Sequence, residues 1–231
     1  MDIAGSVILL KKFKLAVIGD IHGDSVRLSR ALNSLLLDDS LHLIFVGDYV
    51  NRGLNTKAVL DLLLSAINKY PDRITLLRGN HDEALLNFLD DGNVANFAAH
   101  NGISTIRSYL ETVDSNAIEK FRSSFPSEHF DLLRNTQVVY EDSDFLISHC
   151  GFDPHDINSR TPDSMYRRGH PGLFHYSGPW PKSLTVCGHY VQEQGVPYIS
   201  PNLICIDTGC GTINQAPLTV VILPERKLIQ Y

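Results

Sequence analysis

The chain has no long uninterrupted apolar run, few cysteines and no excess of basic residues. No apolar stretch approaches the ~18 residues that a membrane-spanning helix needs, so we expect neither a membrane-spanning segment nor a membrane partner. The 20 lysines and arginines are outnumbered by 26 aspartates and glutamates, which gives a net charge of −6. This balance argues against a protein that holds nucleic acid through bulk positive charge, so no nucleic-acid partner is expected.

The 4 cysteines include no Cys-x-x-Cys pair, which disfavours a zinc ribbon. An apolar segment, Ile3–Leu10, is followed by lysines, whereas a signal peptide carries its positive charge before the apolar region. Without a secretory signal, reduced thiols are expected rather than disulfides. The sequence therefore predicts a cytoplasmic protein.

Length and composition are those of an ordinary globular protein. A chain of 231 residues with 43% hydrophobic and 20% charged residues buries enough surface to fold without a disulfide or a structural metal. No internal repeat, low-complexity tract or linker-like stretch divides it. We predict a single domain over residues 1–231.

The first third of the chain alternates short apolar runs with amphipathic patterns. This βαβαβ rhythm predicts parallel strands joined by right-handed crossovers. The predicted strands are Phe13–Ile18, Leu41–Val46 and Arg73–Leu77, and the predicted helices are Ser25–Leu37, Thr56–Tyr70 and Asp82–Leu89.

Beyond residue 93 the pattern of apolar and polar residues changes twice. Residues 93–133 show only helical patterns, and a hairpin is predicted from Val138–Glu141 and Phe145–Ser148. The Gly- and Pro-rich stretch Arg160–Pro181 is interpreted as a long loop with little regular structure, of the kind that is often functional. Later strands are predicted at Leu184–Val186, Leu203–Ile206 and Leu218–Leu223.

Polar residues stand where the predicted strands end. Because ligands bind outside the carboxyl ends of parallel strands, these residues should converge on one rim. Aspartate, histidine and asparagine together offer oxygen and nitrogen ligands for manganese, iron or zinc. The residues are Asp20 and His22 after the first strand, Asp48 after the second, Asn80 and His81 after the third, and His149 and His189 after later apolar runs.

Two carboxylates, one amide and three histidines are more than one ion needs, and they suit two ions that share a carboxylate. Two divalent ions and two aspartates leave a charge of about +2, which should attract a phosphate dianion. A pair of ions can clamp the attacking and leaving oxygens of an in-line displacement, and their shared water should ionise near neutral pH. A bridging hydroxide would then serve as nucleophile.

Five motifs in order resemble the metal-dependent phosphoprotein phosphatases within the calcineurin-like metallophosphoesterases. The segments 101–106 and 206–210 are similar to those of small bacterial and phage-type members. The resemblance implies an α/β fold, a sandwich of two mixed β-sheets flanked by α-helices, with a dinuclear site at one rim. The motifs are GDIHG (19–23), GDYVNRG (47–53), RGNHD (78–82), SHCG (148–151) and CGH (187–189).

The resemblance also implies a role for each matching residue. Asp20 and His22 would hold the first ion and Asp48 would bridge to the second, which Asn80, His149 and His189 would complete. His81 would be the general acid that protonates the leaving alkoxide, and Arg52 and Asn80 would contact the phosphate. A further phosphate-binding arginine is expected at Arg167 or Arg168, with Arg167 preferred, because a guanidinium suits bidentate phosphate contact.

One position departs from the family pattern. The second motif carries Asn51 where the family normally has an aspartate that supports the general acid. An amide contributes no charge, so His81 should be less readily protonated here than with aspartate at position 51. Asparagine at this place also resembles the relatives that cleave diadenosine tetraphosphate symmetrically.

Three functions remain open from the sequence. The first is a phosphomonoesterase that acts on phosphoserine or phosphothreonine, and also on phosphotyrosine, in a phosphorylated protein or peptide, with two manganese, iron or zinc ions. The second is a symmetrical diadenosine tetraphosphate hydrolase with the same metal core and a dinucleoside polyphosphate as substrate. The third, a non-catalytic phosphoprotein-binding module, is disfavoured because every expected ligand position is filled.

Other chemically capable residues receive structural interpretations. His100 carries no motif and is interpreted as a surface or loop residue. Cys150 is interpreted as a small buried thiol, because adjacent strand residues point to opposite faces. Asp207 precedes a glycine-rich turn and is expected to bind backbone amides there.

Overall fold

The computed structural model describes residues 14–231. The segment Ile3–Leu10 and the first residue of the predicted strand Phe13–Ile18 lie outside the described residues. The strands are β1 (Lys14–Ile18), β2 (Leu41–Phe45), β3 (Ile74–Leu76), β4 (Tyr140–Glu141), β5 (Phe145–Ile147), β6 (Leu184–Cys187), β7 (Tyr198–Ile199), β8 (Leu203–Cys205), β9 (Thr219–Leu223) and β10 (Lys227–Gln230). The helices are α1 (Ser25–Leu35), α2 (Thr56–Lys69), α3 (Asn80–Asp91), α4 (Val94–Ala99), α5 (Ile103–Tyr109), α6 (Ala117–Ser124) and α7 (Ser127–Arg134).

The first sheet has the strand order β10-β9-β1-β2-β3. Strands β1, β2 and β3 are parallel, as predicted, and β9 and β10 add antiparallel neighbours. Successive side chains of β1 point to opposite faces of the sheet and pack in two different cores. Ala16 and Ile18 pack with the helices, and Leu15 and Val17 pack between the two sheets. A strand buried on both faces is apolar along its length, which is the pattern that identified it.

The second sheet has the strand order β4-β5-β6-β8-β7. Its three central strands are parallel and its two edge strands are antiparallel, and β4 with β5 forms the predicted hairpin. Ile147, Val186 and Ile204 pack against the first sheet. The two mixed sheets flanked by helices that the sequence predicts are therefore confirmed.

Helices cover the outer face of the first sheet. Leu28 and Leu32 of α1 and Leu60 and Leu63 of α2 recur at helical spacing and join the core under that face. The outer face of the second sheet is covered instead by residues of the segment 152–173, with Phe152, Met165 and Leu173 buried against it. Across residues 14–231, every helix is too short or too polar to span a lipid bilayer.

Helix α3 begins two residues before the predicted Asp82–Leu89. The Asp82 side chain accepts the backbone N–H of Gly79 at 2.9 Å and closes the first turn upstream of the apolar pattern. Asn80 and His81 therefore lie in the first turn of a helix rather than in a loop.

The predicted loop Arg160–Pro181 has more regular structure than expected. It contains a π-helical turn, Asp163–Arg167, and a 3-10 turn, Pro171–His175. The buried side chains of Met165 and Leu173 anchor these turns to the second sheet. Strands β7 and β10 were not predicted, because both are short sheet edges with weak apolar alternation.

Candidate metal centre and active site

The predicted metal ligands follow the carboxyl ends of five parallel strands, and the structure brings their side chains together. Asp48 belongs to two groups whose ligand atoms all lie within 4.8 Å of one another: Asp20, Asp48 and His149, and His22, Asp48 and His81. All five of these side chains are buried. The loops after separate strands thus form one enclosed cluster of oxygen and nitrogen donors.

Asp48 lies at the centre of this cluster. Its Oδ2 is 3.5 Å from His22 Nε2 and 3.4 Å from His149 Nε2. Its Oδ1 accepts the backbone N–H of His81 at 3.0 Å, and Asp20 Oδ2 lies 4.0 Å from His22 Nε2. One carboxylate oxygen therefore faces two groups of donors, as a bridging ligand would.

Asn80, His149 and His189 form the second group of donors. Asn80 Oδ1 lies 2.9 Å from His149 Nε2 and 3.1 Å from His189 Nδ1. The two ring nitrogens are 3.2 Å apart. Electron pairs at these separations repel one another unless a proton or a cation lies between them.

Backbone carbonyls fix the tautomers of two histidines. Nδ1 of His22 is 3.0 Å from the carbonyl oxygen of Val50, and Nδ1 of His149 is 3.2 Å from that of Val46. A carbonyl can only accept, so each Nδ1 carries a proton and each Nε2 faces Asp48, where it offers a lone pair to a cation whenever the ring is neutral. This outer contact is what a metal-ligating histidine ordinarily makes.

Four carboxylates are buried at the cluster without a lysine or arginine partner. Asp20, Asp48, Asp82 and Asp207 are each at most 2% exposed. Within residues 14–231, no lysine or arginine nitrogen lies within 4.0 Å of any of these carboxylates. Such uncompensated charge is strongly unfavourable, and bound cations relieve it.

The direction of each pKa shift follows from this burial. Burial and the charges of Asp207 and Asp48 raise the pKa of Asp20 well above its usual value. Burial acts the same way on Asp48, but the charges of His149 and His81 outweigh it and hold the pKa of Asp48 well below its usual value. Asp48 therefore holds a negative charge more readily than Asp20.

The donor set fits two divalent cations that share Asp48. The oxygen and nitrogen donors, the fixed lone pairs and the excess of buried negative charge all favour cation binding. One ion would be held by Asp20, His22 and Asp48, and the other by Asp48, Asn80, His149 and His189.

Backbone strain is concentrated at the same place. Of the eight non-glycine residues with positive φ in the range 14–231, five belong to the predicted site. Such conformations persist only where the surrounding structure holds them, and they cluster at functional sites. The five are His22 (φ 44°), Asp48 (54°), Asn51 (67°), Arg52 (64°) and His189 (64°).

Two glycines leave room for the carboxylates. A Cβ at Gly188 would lie 1.9 Å from Asp20 Oδ1, and a Cβ at Gly79 would lie 2.0 Å from Asp48 Oδ1. These glycines are required because the backbone passes directly against a ligand oxygen.

We expect Gly188→Ala to weaken manganese binding by about 10- to 100-fold, because the methyl group must displace Asp20. Calorimetric titration of manganese into the chelator-stripped protein measures this effect. Gly172→Ala is the matched control, since a Cβ there meets nothing within 4 Å. Equal affinities for the two variants would show that Asp20 binds no metal.

His81, Asn51 and Arg52 lie beside the donor cluster. His81 Nε2 is 3.2 Å from Arg52 Nη2 and 3.9 Å from Asp48 Oδ2, and His81 Nδ1 is 3.4 Å from Asn51 Nδ2. Burial lowers the pKa of His81 to about 3, against the opposing charge of Asp48. His81 is therefore a neutral imidazole at neutral pH until further negative charge arrives.

The two candidate arginines of the late loop have different partners. The guanidinium of Arg167 binds Glu83, with Nη2 at 2.6 Å and Nε at 3.1 Å from Oε1. Arg168 is 77% exposed, with one contact of 3.7 Å from Nε to Asp163. The next residue, Gly169, lies against the predicted ligand His189, since a Cβ there would be 2.7 Å from Nε2. The contacts thus hold Arg167, preferred from the sequence, on helix α3 and leave Arg168 free to turn.

Two further residues at the site were given no role from the sequence, although Asp82 ends the third motif. Asp82 accepts N–H groups of Asp48, Tyr49 and Gly79, and so holds the loop that carries the bridging carboxylate. The hydroxyl of Thr105 donates to Asn51 Oδ1 at 2.7 Å. The contact of Asp82 with Asp48 joins residues 34 positions apart, and that of Thr105 with Asn51 joins residues 54 positions apart. No local sequence pattern therefore predicts these two contacts.

Two of the structural interpretations are confirmed, and both residues have further features at the site. Asp207 does accept the N–H of Gly209 at 3.0 Å, as expected, but its buried Oδ2 has no hydrogen-bond partner within residues 14–231. Cys150 is buried, as expected, yet its sulfur lies within 4.8 Å of ligand atoms of His149 and His189. Burial raises the pKa of the Cys150 thiol well above its usual value, so it is a neutral neighbour of the site.

The chain was compared with protein families and with curated proteins. A model of the family described as calcineurin-like phosphoesterase matches residues 13–193. The serine/threonine-protein phosphatase SIT4 of Candida albicans is 46% identical over 72 residues, which cover 29% of this chain and 23% of the relative. The similarity to SIT4 therefore spans less than a quarter of that protein.

Solved structures share the fold over nearly the whole chain. A protein provisionally named a diadenosine tetraphosphatase superposes with a TM-score of 0.65 at 19% identity and covers 95% of this chain and 93% of its own. The cold-active protein-tyrosine phosphatase of a psychrophilic Shewanella superposes with a TM-score of 0.59 at 16% identity and covers 94% and 80%. At these identities the similarity is one of fold.

Proposed function

We propose, since this chain belongs to the calcineurin-like phosphoesterase family, that it hydrolyses phosphoserine and phosphothreonine in proteins or peptides with the help of two divalent metal ions. The observation that carries this proposal is the placement of Asp48 Oδ2 between two donor groups, with Arg52 and His81 beside it. Divalent ions held there would supply positive charge to the phosphate oxygens and a coordinated water acidic enough to act as nucleophile.

Arg52 is positioned to hold the phosphate. Its Nη1 is fixed by the hydroxyl of Thr212 at 3.2 Å, and its Nη2 lies 3.2 Å from His81 Nε2. A planar guanidinium anchored at one end can present its other N–H groups to phosphate oxygens. We assign Arg52 to phosphate binding and Asn80, whose Oδ1 lies beside His149 and His189, to the metal and the phosphate together.

His81 is positioned to protonate the leaving oxygen. When the bond between phosphorus and the serine oxygen breaks, the alkoxide must take a proton, and His81 Nε2 faces the same space as Arg52. Burial lowers the pKa of His81 to about 3, so the proton must be stabilised by the substrate dianion and by Asp48. His81 thus becomes an acid when the phosphate is bound.

Asn51 supports His81 as a neutral neighbour. We expect Asn51→Asp to move the alkaline limb of the pH–rate profile upwards by about one pH unit, because an anion near Nδ1 favours the imidazolium. Aspartate suits the position, since it tolerates the positive φ of residue 51. Profiles of kcat/KM against pH for the two proteins provide the measurement, and superimposed profiles would contradict the proposed link to His81.

The contacts favour Arg168 over Arg167 as the second phosphate-binding arginine. We expect Arg168→Ala to raise KM for a phosphopeptide by about 10- to 100-fold, the loss of a charge-assisted hydrogen bond. Arg167→Ala is the matched variant, and it should change KM by less than about threefold because that side chain is held by Glu83. Steady-state kinetics decides between them, and the opposite ranking would restore Arg167.

A symmetrical diadenosine tetraphosphate hydrolase is the second candidate. It is supported by Asn51 and by the provisionally named tetraphosphatase, which this chain matches over 93% of that protein's length. The protein-phosphatase proposal is supported by the 46% identity to a serine/threonine phosphatase over 72 residues. A non-catalytic phosphoprotein-binding module is disfavoured by the complete donor set.

One assay series separates these functions. The chelator-stripped protein is reloaded with manganese, and kcat/KM is compared for a phosphoserine peptide, a phosphotyrosine peptide and diadenosine tetraphosphate. We expect the phosphoserine peptide to be preferred. A preference for the dinucleotide would overturn the substrate assignment, and no release of phosphate or nucleotide from any substrate would favour the binding module. Parallel series with iron and zinc identify the ion that supports the highest rate.

A further inference from the structure

A third imidazole stands next to the proposed general acid. The ring centroid of His81 lies 4.7 Å from that of His22, with an angle of 73° between the ring planes. It lies 4.8 Å from that of His100, with an interplanar angle of 89°. His22 belongs to the donor cluster, whereas His100 takes no part in the proposed chemistry. Its contact with His81 therefore needs its own explanation.

The backbone at the end of α4 fixes the orientation of His100. Nδ1 of its ring is 2.7 Å from the carbonyl oxygen of Asn96, so this nitrogen donates and the ring cannot turn freely. The backbone N–H of His100 also bonds to Asn96 and Phe97 carbonyls and closes the helix. His100 is thus held in place through both its backbone and its side chain.

Stacked aromatic rings tie α4 to the helix that carries His81. Phe97 of α4 stacks on Phe88 of α3 with ring centroids 4.5 Å apart and an angle of 6°. Gly102 lies against the ring of Phe97, since a Cβ at Gly102 would be 2.5 Å from the ring carbons of Phe97. Because α3 begins at Asn80 and carries both His81 and Phe88, this packing sets the distance between His100 and His81.

We propose that His100 is a positioning residue, whose ring packs against His81 and holds the imidazole in the orientation that protonates the leaving oxygen. The inference rests on the proposed function, in which His81 is the acid. The contact from Asn51 Nδ2 to His81 Nδ1 is long for a hydrogen bond, at 3.4 Å, so it alone does not orient the His81 ring. An edge-to-face neighbour restricts rotation of the imidazole.

The test compares leaving groups. A serine alkoxide needs a proton as it leaves, whereas 4-nitrophenolate leaves readily without one. We expect His100→Ala to lower kcat by about tenfold for a phosphoserine peptide and by less than about twofold for 4-nitrophenyl phosphate, with KM unchanged. His100→Phe keeps the ring and should restore kcat for the peptide to within about threefold of the wild type.

Controls separate this role from a general loss of structure. His155 is an exposed histidine elsewhere in the chain, and His155→Ala should leave both rates unchanged. Manganese stoichiometry and the melting temperature of each variant show whether the fold and the metal centre are intact.

Four outcomes would overturn the inference. Equal losses on the two substrates would indicate a general structural role, and no loss would show that His81 is oriented without His100. A His100→Phe variant as slow as His100→Ala would indicate that a nitrogen of His100 is required and that packing of the ring is not sufficient. If the manganese-loaded wild type cleaves neither substrate, the proposed function fails, and this inference fails with it.

Discussion

Replacement of Asp48 by asparagine is expected to lower kcat/KM for a phosphoserine peptide by about 10³-fold or more. The carboxylate oxygen Oδ2 faces His22 Nε2 and His149 Nε2 at 3.5 and 3.4 Å, and an amide at this place removes the charge that the two groups share. Whichever atom of the amide faces them, one bridging anion is lost. A single substitution should therefore disturb both halves of the centre.

Metal binding distinguishes this explanation from a loss of fold. Calorimetric titration of manganese should show two sites in the wild type and weakened binding at both in Asp48→Asn. Asp39→Asn is the matched control, because Asp39 is 86% exposed and pairs only with Arg73 among the described residues. Asp48→Asn with two unweakened sites would show that Asp48 bridges nothing, whatever its effect on the rate.

Replacement of His81 by glutamine is expected to lower kcat for the phosphoserine peptide by about 10²- to 10⁴-fold, the usual contribution of a general acid. Glutamine offers hydrogen bonds of similar reach but cannot give up a proton at neutral pH. For 4-nitrophenyl phosphate the loss should be less than about tenfold, since that leaving group needs little assistance. Steady-state rates on both substrates provide the measurement.

The structure allows a second role for His81, which the same variant tests. His81 and His22 have ligand atoms within 4.8 Å of Asp48, so His81 also has the geometry of a metal ligand. A general acid can be replaced without loss of metal, whereas a ligand cannot. Two manganese ions per chain in His81→Gln, by elemental analysis, would support the acid, and one ion would contradict it.

The convergence of the oxygen and nitrogen donors could be predicted because these residues are local to strand ends. Each apolar run stops at a short polar motif, and the carboxyl ends of parallel strands share one rim. The alternation that marks a strand and the residues that follow it are both visible within about ten positions. The two mixed sheets were predictable for the same reason.

The supporting contacts could not be predicted because they join distant segments. His100 meets His81 through the packing of α4 on α3, and Thr105 meets Asn51 across 54 residues. The early start of α3 depends on a side-chain cap by Asp82, which an apolar period does not reveal. The sequence does not reveal that Glu83 lies opposite the guanidinium of Arg167, because only the folded chain brings the two side chains together.

Electron paramagnetic resonance of the manganese-loaded protein can show whether two metal ions share Asp48. Manganese is added to the chelator-stripped chain up to two equivalents, and spectra are recorded at each step. We expect the multiline spectrum of an exchange-coupled dimanganese pair at two equivalents, and its loss in Asp48→Asn. A spectrum of isolated manganese ions at every ratio in the wild type would show that no two ions share Asp48.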